Sequence, residues 1–379
     1  MKRIFFLLCY LAVTNVQAQW SPNPSINNAI SAKQGHQMDV QMLSDGSGGA
    51  FVVWQDGRNI STARDIYAQH ISASGDLLWN SNDVAICNAA SDQYFPRLVS
   101  DGAGGAIIAW YDNRAGNYDI YAQRINASGT VLWASDGVAI CTETGNQNAH
   151  QLMADGTGGA FIVWCDGRVG GPNADIYGQR VNASGVVQWA ANGVAISFAS
   201  SLQNIPQLTS DGGTGFFVTW EDWRNFSQAD IYAQKVSANG SYSWSYQGVG
   251  ICVESNGHQY NSKIIADGSG NAIICWQDKR SSSSDDIYAQ KINTNGVVQW
   301  TNNGVVLCNA TGLQMNEKMI PDGAGGAIIC WEDRRTGQDI YAQLINASGV
   351  VQWVANGIAV CNNVSNQNEA QMIPVSGGS

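Results

Sequence analysis

The sequence repeats itself six times, and this repetition constrains the fold more than any other feature. A tryptophan recurs at spacings of 56, 54, 56, 56 and 55 residues. Around it, each repeat approximates Q-x-x-P-x-L-x-x-D-G-x-G-G-A-x-x-x-W-x-D-x-R, a variable loop, and then D-I-Y-A-Q-x-I-N-A-S-G-x-V-x-W-x-x-x-G-V-A-I-C. The tryptophans are Trp54, Trp110, Trp164, Trp220, Trp276 and Trp331. A period of this length is typical of solenoids and propellers.

Each repeat predicts four short strands joined by tight turns. In the third repeat we expect them at His150–Ala154, Ala160–Asp166, Asp175–Val181 and Val186–Trp189, with Gly193–Ser197 leading to the next unit. Glycine-rich Asp-Gly and Asn-Ala-Ser-Gly segments between them suit hairpin turns. Four antiparallel strands in such a period make one propeller blade.

The glutamine that opens the repeat occurs seven times, although only six repeats are complete. It occupies Gln37, Gln93, Gln147, Gln203, Gln259, Gln314 and Gln367. An N-terminal strand within residues 19–36 would complete a last blade begun at the C-terminus, which removes the exposed edges of a ring. We therefore expect an all-β, seven-bladed propeller of four-stranded antiparallel blades. Six blades span residues 37–366, and residues 367–379 are the first strand of an incomplete seventh.

Residues 1–18 have the three parts of a secretory signal peptide. A basic Lys2-Arg3 pair precedes an apolar run from Ile4 to Val13, and Val16-Gln17-Ala18 is a small-residue cleavage site. No other run reaches the roughly 18 to 20 apolar residues of a membrane-spanning helix. We expect an exported protein, secreted or at the cell surface, that does not insert into membranes and is monomeric once its ring is closed.

The charge balance argues against a nucleic-acid partner. Nineteen Lys and Arg residues against thirty Asp and Glu residues give a net charge of −11, and no basic run occurs. Nucleic-acid binding needs a positively charged surface. With only 13% charged residues and 14 tryptophans, the composition also favours buried strands over amphipathic helices.

The W-x-D-x-R and D-I-Y-A-Q motifs, six times over, resemble propeller repeats of exported proteins from Bacteroidetes and related bacteria. The resemblance covers nearly the whole mature chain. It implies the fold and export but no substrate, because most members have no assigned biochemical activity. A looser similarity exists to sialidase-like propellers, whose Asp-box turns follow S-x-D-x-G-x-x-W. The corresponding turn here, SDGSGGA at residues 44–50, lacks the aromatic residue.

Each repeat places an arginine two residues after the aspartate of W-x-D-x-R, at one rim of the predicted ring. One hypothesis is a ring of arginines that binds acidic sugars through bidentate hydrogen bonds. The favoured alternative pairs each arginine with its own aspartate and with the aspartate that opens D-I-Y, which would lock the hairpin. The arginines are Arg58, Arg114, Arg168, Arg224, Arg280 and Arg335.

Two aromatic residues depart from the repeat at the same rim, where the loops vary in length. Trp223 adjoins the loop at residues 225–229, and Tyr118 precedes Asp119 in another loop. Variable loops on a rigid scaffold often carry recognition. Exposed aromatic rings at these positions would stack on sugar rings, but packing against the neighbouring blade explains them equally well or better.

The pattern predicts no catalytic residue, metal or cofactor. Carboxylate catalysis needs two acids in different environments, and sixfold repetition is expected to make the environments identical. Of the few mature glutamates, Glu221 and Glu332 flank the W-x-D motif. The four histidines lack metal-ligand spacing, and the Asp-Gly turns lack the alternating oxygen ligands of a calcium loop.

The cysteines are expected to be buried small hydrophobic residues rather than disulfides. Five of the eight mature cysteines share one repeat position, and equivalent positions in successive repeats are usually too far apart to bridge. These five are Cys87, Cys141, Cys252, Cys308 and Cys361.

These observations together predict an exported, non-enzymatic β-propeller that binds a glycan or a surface protein through its rim loops. Two alternatives stay open. One is a glycan-active enzyme, a glycoside hydrolase of sialidase-like architecture, and the other is a structural spacer within a longer surface protein.

Overall fold

A computed structural model describes residues 23, 25, 27–59, 63–80, 82–170, 173–281 and 284–374. Within these ranges the chain forms six antiparallel four-stranded sheets, each built from four strands consecutive in sequence. The first strand of each sheet contacts the first strand of the next sheet. This is the β-propeller architecture predicted from the repeats, and each sheet is one blade.

The strands follow the repeat closely. Blades 1 to 3 contain β1 (Gln37–Ser44), β2 (Ala50–Asp56), β3 (Asp65–Ile71), β4 (Val84–Cys87); β5 (Gln93–Ser100), β6 (Ala106–Asp112), β7 (Asp119–Ile125), β8 (Val138–Cys141); and β9 (Gln147–Ala154), β10 (Ala160–Asp166), β11 (Asp175–Val181), β12 (Val194–Ser197). Blades 4 to 6 contain β13 (Gln203–Ser210), β14 (Phe216–Asp222), β15 (Asp230–Val236), β16 (Val249–Cys252); β17 (Gln259–Ala266), β18 (Ala272–Asp278), β19 (Asp286–Ile292), β20 (Val305–Cys308); and β21 (Gln314–Pro321), β22 (Ala327–Asp333), β23 (Asp339–Ile345), β24 (Ile358–Cys361).

The fourth strand of each blade differs from the prediction. In blade 3 it is β12, which pairs with β11, whereas residues 186–189 make only an isolated bridge from Val187 to Val181. The indole nitrogen of Trp189 donates to the carbonyl of Ala238 in the next blade at 2.9 Å. The predicted strand is therefore a connection whose tryptophan packs against the neighbouring blade.

Each first strand contains a bulge after its second residue. In β9 the pairing register with β10 shifts there, and Ala149 has a φ of 52°. The bulge turns a backbone N–H toward the preceding blade, so Phe95 donates to Oε1 of Gln55 at 3.2 Å. In blades 2 and 5 and in the C-terminal segment, this N–H thus ties the chain to the preceding blade, whereas in blade 4 the N–H of Ile205 donates to Oδ1 of the adjacent Asn204. These hydrogen bonds help to stabilise a backbone conformation that is otherwise unfavourable.

The hydrophobic core lies between blades, because the second strands are buried on both faces. Between blades 2 and 3, Ile107 and Ala109 of β6 pack with Ile162 and Trp164 of β10, and all four are fully buried. Burying one large apolar side chain contributes about 2 kcal/mol. Packing between successive blades is therefore the main source of stability.

The described segments before blade 1 and after blade 6 form no strand, but they contact these blades. Among the described positions, residues 27–36 and 362–374 contain no strand. Ile30 packs against Val52 and Trp54 of blade 1. The backbone N–H of Glu369 donates to Glu332 at 2.9 Å, as Phe95 does in blade 2.

Closure into a seven-bladed ring is not confirmed by the described residues. The predicted signal peptide at 1–18 and the first residues of the predicted N-terminal strand lie outside the described ranges. Within those ranges, the chain has no helix with the length and apolar character to cross a membrane.

Candidate functional site

A buried aspartate binds both the tryptophan and the arginine of W-x-D-x-R. In blade 3, the fully buried Asp166 accepts the indole N–H of Trp164 on Oδ2 at 2.7 Å. Arg168 donates from Nε to Oδ1 at 2.8 Å and from Nη2 to Oδ2 at 2.7 Å. The other pairs are Arg58–Asp56, Arg114–Asp112, Arg224–Asp222, Arg280–Asp278 and Arg335–Asp333.

These arginines also make further contacts with the protein itself. Arg168 stacks 3.8 Å from the centroid of the Tyr177 ring and donates to the carbonyl of Asn192 at 2.8 Å. Asp175, which opens D-I-Y, makes no ion pair with Arg168 among the described residues, and burial raises its pKa to about 6. No more than 25% of any of the six arginine side chains is exposed. The arginines hold the rim hairpins together and do not form a ring of free anion-binding groups.

Tyr118 belongs to an aromatic cluster on blade 2. Its ring lies 5.8 Å from that of Tyr94 and 6.0 Å from that of Tyr111. Phe95, at the bulge of β5, contacts Tyr94 at 6.1 Å and Tyr111 at 5.5 Å, and half of its surface is exposed. We call Tyr94, Phe95, Tyr111 and Tyr118 the aromatic cluster. The sequence analysis missed Phe95 because a regular strand would not predict the bulge that exposes it.

Trp223 packs against the neighbouring blade. Its ring lies 5.1 Å from the ring of His258 in blade 5, and its backbone N–H donates to Leu202 at 2.9 Å. A polar groove beside this contact is lined by His258, Lys279 and Arg280. Trp223 therefore borders a groove at the rim, but part of its ring is used for packing.

A cavity of about 460 Å³ lies on the axis of the propeller. Its polar lining consists of one residue from each of blades 2 to 6 and one from the C-terminal segment, all at the fifth position counted from the opening glutamine. Equivalent residues of successive blades share one cavity only where the blades converge, so the cavity is axial. These residues are Arg97, Gln151, Gln207, Lys263, Lys318 and Gln371.

Lys263 is the cation of this cavity that has a carboxylate partner. Its ammonium nitrogen donates to the carbonyl of Asn261 at 2.9 Å and lies 3.7 Å from Oε1 of Glu317. About 30% of the Lys263 side chain is exposed, whereas Glu317 is fully buried. Glu317 also accepts a hydrogen bond from Nε2 of Gln277 at 2.7 Å. Lys263 is thus oriented from behind and faces the cavity.

Glu221 adds a second carboxyl to this cluster from blade 4. It accepts the backbone N–H of Asn261 on Oε1 at 2.8 Å. Burial raises the pKa of Glu221 and the pKa of Glu317, while the positive charge of Lys263 opposes both shifts. We call Glu221, Asn261, Lys263 and Glu317 the charged cluster. The expectation that repetition makes all acid environments identical is wrong here, because non-equivalent positions of three blades converge.

The Asp-Gly turns at the opposite rim are self-contained. Oδ1 of Asp155 accepts the backbone N–H groups of Thr157 and Gly159 at 2.8 and 2.9 Å, and Oδ2 pairs with Arg180 at 2.8 Å. A Cβ on Gly159 would lie 2.1 Å from the carbonyl oxygen of Val181, which explains the glycine. Both carboxylate oxygens are therefore used within the turn. Among the described residues, no group of three His, Cys, Asp or Glu side chains has metal-site geometry.

The cysteines described by the structure are unpaired. Cys87, Cys141 and Cys308 are buried, and burial raises the pKa of each thiol to about 12. Cys361, at the edge of blade 6, is exposed.

Comparisons with known proteins find structural likeness without sequence likeness. No family model matches the chain, and no curated protein matches it. A lectin, BP39L from Burkholderia pseudomallei, has a TM-score of 0.52 at 8% identity, covering 83% of this chain and 81% of the lectin. An ulvan lyase bound to a GlcA(1-4)Rha3S saccharide has a TM-score of 0.51 at 11% identity, covering 80% of each chain. The polysaccharide lyase Uly1 has a TM-score of 0.50 at 8% identity, covering 88% of this chain and 90% of the lyase.

These likenesses show the fold, and they correct the functional prediction. The sequence predicted a non-enzymatic binding or scaffold module, but polysaccharide lyases have this architecture. The prediction of a purely non-enzymatic architecture was wrong, because the architectures that this chain resembles include polysaccharide lyases as well as a lectin. The expectation that the repeat makes all acid environments alike fails for Glu317, whose buried carboxyl has no counterpart in the other blades. Glu221, by contrast, occupies the position of Gln55 and Glu332 and accepts the same backbone hydrogen bond.

Proposed function

We propose that the protein is an enzyme that cleaves glycan chains bound across the rim that carries the W-x-D-x-R loops, with the reacting sugar at the axial cavity. The observation that carries this proposal is the charged cluster. Its Lys263 faces a cavity of about 460 Å³, and two carboxyls with raised pKa values lie behind it. Cavities of this size and convergent polar lining are typical of substrate sites.

Lys263 is the group of this cluster that would contact the substrate. An ammonium group has three donors. The carbonyl of Asn261 takes one, Glu317 attracts a second, and the third is free to meet a sugar oxygen in the cavity. Glu221 and Glu317 are positioning residues, because burial separates them from the cavity while their charges act on Lys263. Cleavage of a glycosidic bond needs a proton at the leaving oxygen, which a positioned side chain can donate.

The aromatic cluster would extend the site toward blade 2. Phe95 lies two residues before Arg97, so the exposed ring is near the mouth of the cavity. Aromatic faces pack against the apolar faces of sugar rings. A glycan that enters the cavity would therefore have a stacking surface beside it.

The test is an activity screen with a matched variant. The mature protein is incubated with neutral and acidic polysaccharides, and new reducing ends and unsaturated products are measured, which separates hydrolysis from elimination. Replacing Lys263→Gln gives the cavity the side chain that Gln151 and Gln207 already provide. Because it also removes the charge partner of the buried Glu317, urea unfolding verifies that the variant is folded under the assay conditions. We expect a loss of kcat of about 100-fold. Lys235→Gln, at the opposite rim, is the control and is expected to retain activity.

Two results would overturn the proposal. One is the absence of product from every polysaccharide in the screen. The other is an unchanged kcat for Lys263→Gln with an active wild type, which would exclude the charged cluster from the reaction.

Export and ring closure are proposed on separate grounds. The predicted signal peptide at residues 1–18 supports secretion or surface display. The contacts of Ile30 with blade 1 and of Glu369 with blade 6 support a seventh blade shared by the two flanking segments. Proteomic detection of the mature N-terminus in the culture medium tests the first, and a crystal structure that places both segments in one sheet tests the second.

A further inference from the structure

We propose that the axial cavity is an anion-binding subsite, so that the substrate is an acidic polysaccharide bearing carboxylate or sulfate groups. This inference rests on the proposed function and deepens it by naming the substrate class. Three cations, Arg97, Lys263 and Lys318, line the cavity, and no acidic side chain does among the described residues. The chain as a whole has a net charge of −11, so this concentration of positive charge runs against the overall balance.

Two of the three cations have no anionic partner in the protein. Among the described residues, the side chains of Arg97 and Lys318 make no hydrogen bond and no ion pair, and no carboxylate oxygen lies within 4.0 Å of either charged group. Both side chains are only partly exposed. Partly desolvated charges without a partner favour binding of an anion from solution.

The surroundings of Arg97 add no negative charge. His150, from the next blade, is fully buried beside Tyr111, and burial together with the charge of Arg97 lowers the pKa of His150 to about 3. The imidazole is therefore neutral at physiological pH. Arg97 keeps an uncompensated charge on the blade 2 side of the cavity.

The fold does not need a cation at these positions. The same position of the repeat holds glutamine in blades 1, 3 and 4, as Gln41, Gln151 and Gln207, and these blades have the same strands and register. Packing therefore leaves the side chain free to vary. The charges of Arg97 and Lys318 are explained by a ligand rather than by folding.

The arrangement of cations and amides suits one acidic sugar flanked by the adjoining sugars of a polysaccharide chain. The cations come from blades 2, 5 and 6, and glutamine amides from blades 3 and 4 lie between them around the axis. Guanidinium and ammonium groups bind carboxylate and sulfate oxygens, while amides bind sugar hydroxyls. Lys263, whose charge is shared with Glu317, remains available for the reaction.

The test measures binding, not turnover, with ligands matched except for charge. The probes are polygalacturonate oligosaccharides, the same oligosaccharides with their carboxyls reduced to alcohols, and dextran with its sulfated form. The variants are Arg97→Gln, Lys318→Gln and the double variant, each of which installs the glutamine of other blades. Isothermal titration calorimetry at low and high salt gives Kd, and urea unfolding verifies that the variants fold as the wild type does.

We expect tighter binding of the charged member of at least one pair, weakened by salt because exposed charges are screened. Each single variant should raise that Kd about ten-fold, in keeping with one hydrogen bond to a charged group. If carboxylate oligosaccharides bind and sulfated dextran does not, the acidic group is a uronate, and the reverse result identifies a sulfate ester. Equal Kd values for charged and uncharged probes, or an unchanged Kd in the double variant, would overturn the inference.

The outcomes separate this inference from the proposed function. Binding of an acidic oligosaccharide through Arg97 and Lys318, together with no product from any polysaccharide in the activity screen, would leave the subsite standing and remove the enzymatic proposal. Cleavage of a neutral glycan without binding of any acidic probe would leave the enzyme standing and remove the subsite.

Discussion

The ammonium nitrogen of Lys263 lies 3.7 Å from Oε1 of Glu317, across the boundary between blades 5 and 6. Glu317 is fully buried, and its Oε1 has no hydrogen-bond partner among the described residues. Removing one member of such an ion pair destabilises a protein, because the buried charge of the other member is left without a partner. The pair therefore links the axial cavity to the stability of the fold.

We expect the stability of the protein relative to Glu317→Gln to fall as pH rises. Burial raises the pKa of Glu317 above its ordinary value of 4.5, so the folded protein retains a proton that the unfolded chain has released. The stabilising contribution of this group is complete below 4.5 and is lost as pH rises through the raised pKa. Glu317→Gln has no titrating carboxyl here, so its stability does not fall through this pH range. Its amide oxygen can still accept the hydrogen bond from Gln277. Urea unfolding of both proteins across acidic to neutral pH measures the difference. Glu143→Gln, at a partly exposed rim position, is the control, and a pH-independent difference for Glu317→Gln would contradict the expectation.

Asp166→Ala is expected to destabilise the protein by about 3 kcal/mol. The substitution leaves the indole N–H of Trp164 without its acceptor and Arg168 without its bidentate partner. Chemical unfolding of Asp166→Ala, Arg168→Ala and the double variant completes a thermodynamic cycle. A loss in free energy of unfolding below about 1 kcal/mol, or strict additivity of the losses in the two single variants, would show that the contacts of Asp166 with Arg168 contribute little.

Gly193→Ala is expected to cost about 2 kcal/mol more than Gly156→Ala. Both glycines have positive φ, 86° and 74°, so both substitutions carry a similar backbone strain. A Cβ at Gly193 would lie 2.5 Å from Cη2 of Trp164, whereas a Cβ at Gly156 meets nothing within 4 Å. The same Cβ would lie 2.7 Å from the carbonyl oxygen of Gly178, so the difference in free energy of unfolding measures the close packing of Gly193 against the tryptophan and this backbone. Equal losses would mean that only the backbone conformation requires glycine.

Phe95→Ala is expected to raise KM for a cleaved polysaccharide about five-fold without changing the unfolding midpoint. The ring is half exposed and packs edge-on against Tyr111 and tilted against Tyr94, so its removal is expected to cost contact with sugar rather than core packing. Tyr242→Ala is the control, since Tyr242 is exposed in a turn at the opposite rim. A rise in KM for the control that equals the rise for Phe95→Ala would assign the effect to the surface in general.

The repeat by itself determined the blades. The Asp-Gly turns and the spacing of the tryptophans depend on neighbours within one unit, so they predict β10 and its equivalents at the observed bounds. The fourth strand was misplaced because Trp189 is drawn to the next blade, and no local pattern encodes that contact.

Only the tertiary structure decided which residues share the axis and which acids share an environment. Arg97, Lys263 and Lys318 are hydrophilic residues in ordinary strands until the blades converge around one cavity. Glu221 and Glu317 occupy different positions of different repeats, and both contact β17, where the bulge brings Asn261 to Glu221 and Lys263 reaches Glu317. Local sequence sets the hydrogen bonds within a blade, whereas the burial that raises these pKa values and the charge of Lys263 that opposes it come from packing between blades.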